Sequence, residues 1–97
     1  MYKIIYTQLA EEDLFALFEL ISEDKPTIAI EYITKLEKNI ELLETNPLLG
    51  IECKTKNINK KCRILIYEDY LIFYTVKSNE IRILRILHSH VNYTNKV

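Results

Sequence analysis

The apolar residues of this chain change their repeat once, and the change falls at its only glycine, Gly50. Ahead of it, Ala10, Leu14, Leu17, Phe18 and Ile21 recur every three or four positions, and so do Ala29, Tyr32, Ile33, Leu36, Ile40 and Leu43. That spacing places each set on one stripe of an α-helix. Beyond it the spacing falls to two, the repeat of a β-strand. Helices first and strands afterwards are segregated along the chain, which implies an α+β fold rather than alternating βαβ units.

Local signals set the boundaries. Thr7 can cap the first helix, and Glu11, Glu12 and Asp13 follow where the helix dipole favours acids. The stripe stops at SEDKP, and Pro26 suits the first turn of a second helix, where its missing N–H costs nothing. Asn46, Pro47 and Gly50 end that helix and turn the chain. With so short a link, the helices should pack as an antiparallel hairpin. Strands are expected near 51–56, 62–67, 70–76 and 80–88, joined by NINK, EDY and SNE. Short links between successive strands mean an antiparallel four-stranded meander. An N-terminal strand at 2–6 should join the same sheet, because alone it could not satisfy its backbone. The expected arrangement is one domain over residues 1–97, with two helices on one face of a curved sheet.

Charge is distributed unevenly. Residues 1–52 carry four lysines against eleven carboxylates, a net of −7, whereas residues 53–97 carry nine Lys and Arg against three carboxylates, a net of +6. The basic half concentrates Lys54, Lys56, Lys60, Lys61 and Arg63 in one stretch without an acid. On a hairpin these could form a patch for a polyanion, or serve as solubilising edge lysines.

No apolar run approaches the roughly 18 residues that cross a bilayer, so no membrane partner is expected. The opening MYKIIYTQLAEED lacks the apolar core and small-residue cleavage site of a signal peptide. Cytoplasm is therefore the expected compartment. There Cys53 and Cys62, although able to face each other across a hairpin, are expected to be reduced thiols. His88 and His90 fall on the same side of a strand, but a zinc site needs more ligands and no third one is evident. Neither metal nor cofactor is expected.

The last strand, EIRILRILH, raises a problem of parity. Strict alternation puts Ile81, Ile83, Arg85 and Leu87 on one face and Arg82, Leu84, Ile86 and His88 on the other. One face must pack on helices, so a bulge or an edge position is expected to release an arginine. That guanidinium could lie over the sheet and reach water or an acidic helix residue, or present a fixed cation to phosphate.

The sequence resembles the RelE/ParE superfamily of bacterial toxins, the toxic halves of type II toxin–antitoxin (plasmid-stabilisation) modules. Ala10, Asp13 and Leu14 carry the resemblance in the first helix, and PTIAIEYITKLEKNIELLETNPLLG carries it in the second helix and its Pro-x-x-Gly exit. CRILIYEDYLIFYTV, with Arg63, Tyr70 and Tyr74, and IRILRILH, ending on His88, carry it in the strands. The ending I-L-x-I-L-H and the long helical hairpin are similar to the ParE branch, which poisons DNA gyrase. The RelE branch instead cuts mRNA on the ribosome. His90 stands where members often have Arg, while His-x-x-Tyr at 90–93 is similar to the tail of some ribonuclease members.

The two branches imply different work for the same residues. In a nuclease, His90 would be the acid or base, with His88 beside it, and Arg63 and Lys54 would stabilise phosphate charge. Tyr93 would stack on a base. Lys54, Lys56, Lys60, Lys61, Arg82 and Arg85 would contact RNA or another target. A poison would use the C-terminal strand and its tail as a contact surface and have no chemistry of its own. Arg63, His88 and His90 gathered in a cleft would favour the nuclease; scattered, they favour the poison. Either way the resemblance implies a cognate antitoxin, acidic or of ribbon-helix-helix type. Leu20, Ile28 and Ile30 on the helical hairpin are the expected anchors for it.

Overall fold

The computed structural model describes residues 1–97. Strand β1 (Lys3–Tyr6) leads into α1 (Gln8–Asp24) and α2 (Pro26–Glu41), and a 3₁₀ turn (Leu42–Glu44) follows. Then come β2 (Ile51–Glu52), a second 3₁₀ turn (Cys53–Lys56), β3 (Arg63–Tyr67), β4 (Tyr70–Lys77) and β5 (Glu80–His88). A last 3₁₀ turn spans Tyr93–Asn95. The five strands form one sheet in the order β1-β5-β4-β3-β2, antiparallel except for β1, which runs parallel to β5. This is the α+β fold that the change of repeat implies.

Thr7 connects helix and sheet. Its hydroxyl accepts the Ala10 N–H at 3.2 Å, capping α1, and donates to the Ile83 carbonyl at 2.8 Å. One residue, Lys25, separates the helices, with Pro26 opening α2. Their stripes come together as expected: Ala10, Leu17, Leu36, Ile40 and Leu43 pack on Leu65, Ile72, Tyr74, Ile81, Ile83 and Ile86. Emptying one of these sites, as in Leu36→Ala, should cost about 2–5 kcal/mol.

The opposite face of the sheet is also covered, which alternation alone does not reveal. Ile64, Leu71, Phe73 and Leu87 form a second core with Cys53, Ile58 and Cys62, and Tyr93 and Val97 of the tail pack against it. Burial on both faces explains why Leu71, Ile72, Phe73 and Tyr74 form an unbroken apolar run.

Two expectations fail at that second core. The strand expected at 51–56 is only two residues long, because the chain coils at Cys53 and Asn57 takes a left-handed conformation with φ 60°. The Ile58 N–H then donates to the Cys53 carbonyl at 3.2 Å, and the Cys53 N–H to the Cys62 carbonyl at 2.9 Å. This closure brings the Cα atoms of Cys53 and Cys62 to 5.2 Å, and the two form a disulfide rather than free thiols.

The parity problem is solved by a bulge. Tyr74 pairs with Ile83 and Phe73 with Arg85, so Leu84 has no partner and the alternation slips by one. Ile81, Ile83 and Ile86 thereby all face the helices, while Leu84 and Leu87 face the second core.

Gly50 is required by close approach. A Cβ there would lie 2.6 Å from the Ile64 carbonyl oxygen and 2.8 Å from the Tyr74 hydroxyl. That hydroxyl donates to the Pro47 carbonyl at 2.8 Å and accepts the Gly50 N–H at 2.9 Å. The Pro-x-x-Gly segment is thus fastened to the centre of the sheet.

Candidate functional site

The residues singled out in the sequence fall into separate groups. Arg63 donates to the Gly50 carbonyl at 2.6 Å and so braces the Pro-x-x-Gly exit from behind. It lies opposite Tyr74 on β4, whereas His88 lies opposite Tyr70. Four residues of strand separate these levels, about 13 Å along the sheet, and two strand spacings add roughly 9–10 Å across it. Arg63 and the imidazoles therefore do not share a cleft.

His88 and His90 belong to a ladder of rings at the other end of the sheet. Their rings stack at 5.0 Å, and the His90 N–H donates to His88 Nδ1 at 3.1 Å. His88 meets Tyr70 edge-on at 5.2 Å, and Tyr32 of α2 meets Tyr70 and Tyr67 at 6.2 and 5.9 Å. Burial raises the pKa of Tyr32, helped by the nearby carboxylate of Glu68, and burial with the charge of Asp69 raises that of Tyr70. Both phenols stay protonated and can act as donors. The two histidines stand out in the sequence as candidate site residues, whereas Tyr32, Tyr67 and Tyr70 do not. The clue was available: residues 67 and 70 are both Tyr, on either side of a two-residue turn. Tyrosine and histidine join an apolar body to a polar tip, a composition suited to a protein contact.

Two expected target-binding residues are engaged internally. Arg85 forms a two-pronged pair with Asp13 of α1, at 2.7 Å from Nε to Oδ2 and 2.9 Å from Nη2 to Oδ1. Beside the bulge, its guanidinium turns to the first turns of α1 instead of to solvent. Tyr93 lies against Phe73 at 5.6 Å in the second core, so its ring is not a free stacking platform. The exposed arginine is Arg82, whose nearest partner is Glu80 at 3.4 Å.

The lysines come together. An open cleft of about 1210 Å³ runs between the disulfide loop and the C-terminal half of β4. Lys54, Lys60, Lys61, Arg63 and Lys77 line it, with Glu52 as the one carboxylate. Lys56 is exposed on the same loop but lies outside the lining. Lys77, which does not belong to that lysine stretch of the sequence, enters from the last position of β4.

On the helical side Leu20, Ile28 and Ile30 are exposed as expected. Ile28 and Ile30 are two positions apart on α2 and so point to different sides, which prevents a single stripe. A compact apolar feature lies nearby: a groove of about 340 Å³ walled by Tyr6, Leu14, Phe15, Phe18 and Ile33 and edged by Glu11 and Glu37. Phe15, which is exposed, falls outside the core stripe of α1, and this was the overlooked sequence signal. No helix is long and apolar enough to cross a membrane.

Comparison with known proteins gives the context for this geometry. No curated protein matches the chain. Among nine matching chains of solved structures is one from the "Chromosomal ParDE TA system from P. aeruginosa". Its fold superposes with a TM-score of 0.74 at 22% identity, over 91% of this chain and 96% of that one. Residues 4–93 match the family model described as "ParE toxin of type II toxin-antitoxin system, parDE". A match over nearly the whole length, in a chain with the same fold, establishes that the protein belongs to the ParE toxin family of type II toxin–antitoxin systems.

Proposed function

We propose that this toxin acts on DNA gyrase as a poison that makes and breaks no bond of its own, and that a cognate antitoxin neutralises it. The observation carrying this reading is the separation of Arg63 from His88 and His90 by the length of β4. Cleavage of RNA by its own 2′-oxygen needs an acid, a base and cations around a single phosphate, all at hydrogen-bond range. Here the cation braces the Gly50 carbonyl and the imidazoles stack at the far end of the sheet. A poison needs only a surface that holds the enzyme while its DNA is cut. The ring ladder of Tyr32, Tyr67, Tyr70, His88 and His90 suits that role.

The antitoxin would cover apolar surface on the helical side. The groove at Phe15 is the best-formed site for a helix, and Leu20, Ile28 and Ile30 extend the apolar surface along the hairpin.

The test uses purified gyrase, relaxed plasmid and ATP. The reading expects loss of supercoiling and accumulation of linear plasmid after protein denaturation, and the antitoxin should reverse both. Unchanged supercoiling, together with cleavage of mRNA on purified ribosomes, would replace it with the RelE-like reading.

A further inference from the structure

Apart from Arg63, which donates to the Gly50 carbonyl, and Lys54, the cations of the basic cleft brace nothing within the fold. Lys54 has a carboxylate within reach, Glu52 at 3.2 Å. Lys60, Lys61, Lys77 and Arg63 have none, and the carboxylate opposite Lys77, that of Glu80, is paired with Arg82. Four like charges in one concavity repel one another, and the acidic residues that could offset them are mostly in the helical layer on the other side of the sheet. Solubility would be served as well by dispersed lysines. Retaining these cations in a shared, concave site is explained by an anion with several charges.

The cleft is also preorganised. The loop bearing Lys54, Lys60 and Lys61 has no regular structure beyond one 3₁₀ turn, yet it is fixed at both ends. The Cys53–Cys62 disulfide closes it, and Ile58 anchors its middle in the second core with Ile64 and Phe73. Lys77 and Arg63 project from strands. Amide side chains of Asn57 and Asn59 stand among the cations as neutral donors. At about 1210 Å³ and open along its length, the site exceeds what a single phosphate or a small metabolite fills. It suits a strand carrying a regular row of charges.

We propose that this cleft binds the sugar–phosphate backbone of nucleic acid, through contacts of Lys60, Lys61, Lys77 and Arg63 to successive phosphates and without reading sequence. The inference does not depend on the gyrase reading, because the toxin alone should bind. In the complex with a topoisomerase such a cleft would add backbone contacts beside the protein–protein interface.

The experiment is fluorescence anisotropy with the full-length chain and two labelled probes, a 20-base-pair DNA duplex of arbitrary sequence and a 20-nucleotide single-stranded RNA, each titrated from about 25 to 200 mM KCl. Four phosphate contacts predict a slope of log K against log salt near −3.6 for the duplex and near −2.8 for the single strand. The tighter of the two at matched salt identifies the preferred backbone. The triple variant Lys60→Gln/Lys61→Gln/Lys77→Gln should lose at least tenfold in affinity at low salt, and its duplex slope should shrink to about −1. The control Lys3→Gln/Lys25→Gln/Lys38→Gln, of equal charge change on the acidic half, should bind as the parent does. Far-UV circular dichroism and thermal melting check that both variants are folded. No binding at the lowest salt would overturn the proposal, as would equal losses in the two variants. Displacement of both probes by polyglutamate at matched charge concentration would also overturn it, because the cleft would then take acidic protein.

Discussion

Asp13 and Arg85 meet across 72 residues of sequence, two nitrogens to two oxygens at 2.7 and 2.9 Å, and Asp13 also accepts the Ile86 N–H at 3.0 Å. The location explains the pair. Strand β1 ends opposite Ile83, so β5 continues beyond it with a bare edge. The carboxylate from α1 serves that edge as a neighbouring strand would. It also neutralises the guanidinium released by the bulge at Leu84, and the pair is largely withdrawn from water.

Replacing Asp13 with Ala leaves a sheltered guanidinium unpaired and a strand N–H without an acceptor. The loss should be about 2–3 kcal/mol, measured by urea unfolding. A double-mutant cycle with Arg85→Ala should give a coupling above about 1 kcal/mol. A coupling near zero would mean that the pair contributes only packing.

Gly50→Ala forces a methyl against the Ile64 carbonyl and the Tyr74 hydroxyl. Because the first obstacle is backbone, the segment must move, and about 1–3 kcal/mol of stability should be lost. Tyr74→Phe keeps the ring and removes the hydroxyl that serves Pro47 and Gly50, costing about 1–3 kcal/mol. Both changes should move the urea midpoint and leave far-UV circular dichroism intact.

The Cys53–Cys62 bridge closes a loop whose cysteines are nine positions apart. Chain-entropy arguments put the effect of so short a loop at roughly 2–3 kcal/mol. The parent should therefore lose that much on reduction with dithiothreitol, and Cys53→Ser/Cys62→Ser should be insensitive to the reagent. An unchanged midpoint on reduction would show that the second core alone holds the loop.

Stability should fall in alkali for a reason that the tyrosines supply. Burial raises the pKa of Tyr6, Tyr32, Tyr70 and Tyr74 above the ordinary value of 10.0. Above that pH the unfolded chain releases phenolic protons that the folded one retains, so the unfolded state binds fewer protons and unfolding becomes easier as pH rises. Below it the contribution is fully present. Urea unfolding at pH 8 and at pH 10.5–11 should show the loss, and Tyr6→Phe should reduce it. Equal midpoints in the two buffers would contradict the burial of these hydroxyls.

Much of the fold is legible in the residues because it depends on repeats. The stripe from Ala10 to Ile21, the stripe from Ala29 to Leu43 and the alternation after Arg63 are local patterns, and each emerges as an element. What escaped depends on contacts between distant residues. Nothing near Cys53 indicates that Ile58 will fold back beneath the sheet, so the short loop reads as more strand. That an arginine of β5 could reach an acidic helix residue was legible, but not that Arg85 is the one or that Asp13, far away in the chain, is its partner. The lysine stretch was visible, but its joining with Lys77 into one cleft was not, because that depends on strand order. Dispersion of Arg63 from His88 follows from register, which one-dimensional spacing does not encode.

The most direct test of the account is pulse labelling after induction of the toxin in a sensitive bacterium, with thymidine and amino-acid incorporation followed separately over minutes. The account predicts that thymidine incorporation falls first, accompanied by a DNA-damage response, while protein synthesis continues. Early loss of amino-acid incorporation with DNA synthesis intact would contradict it and return the activity to the ribosome.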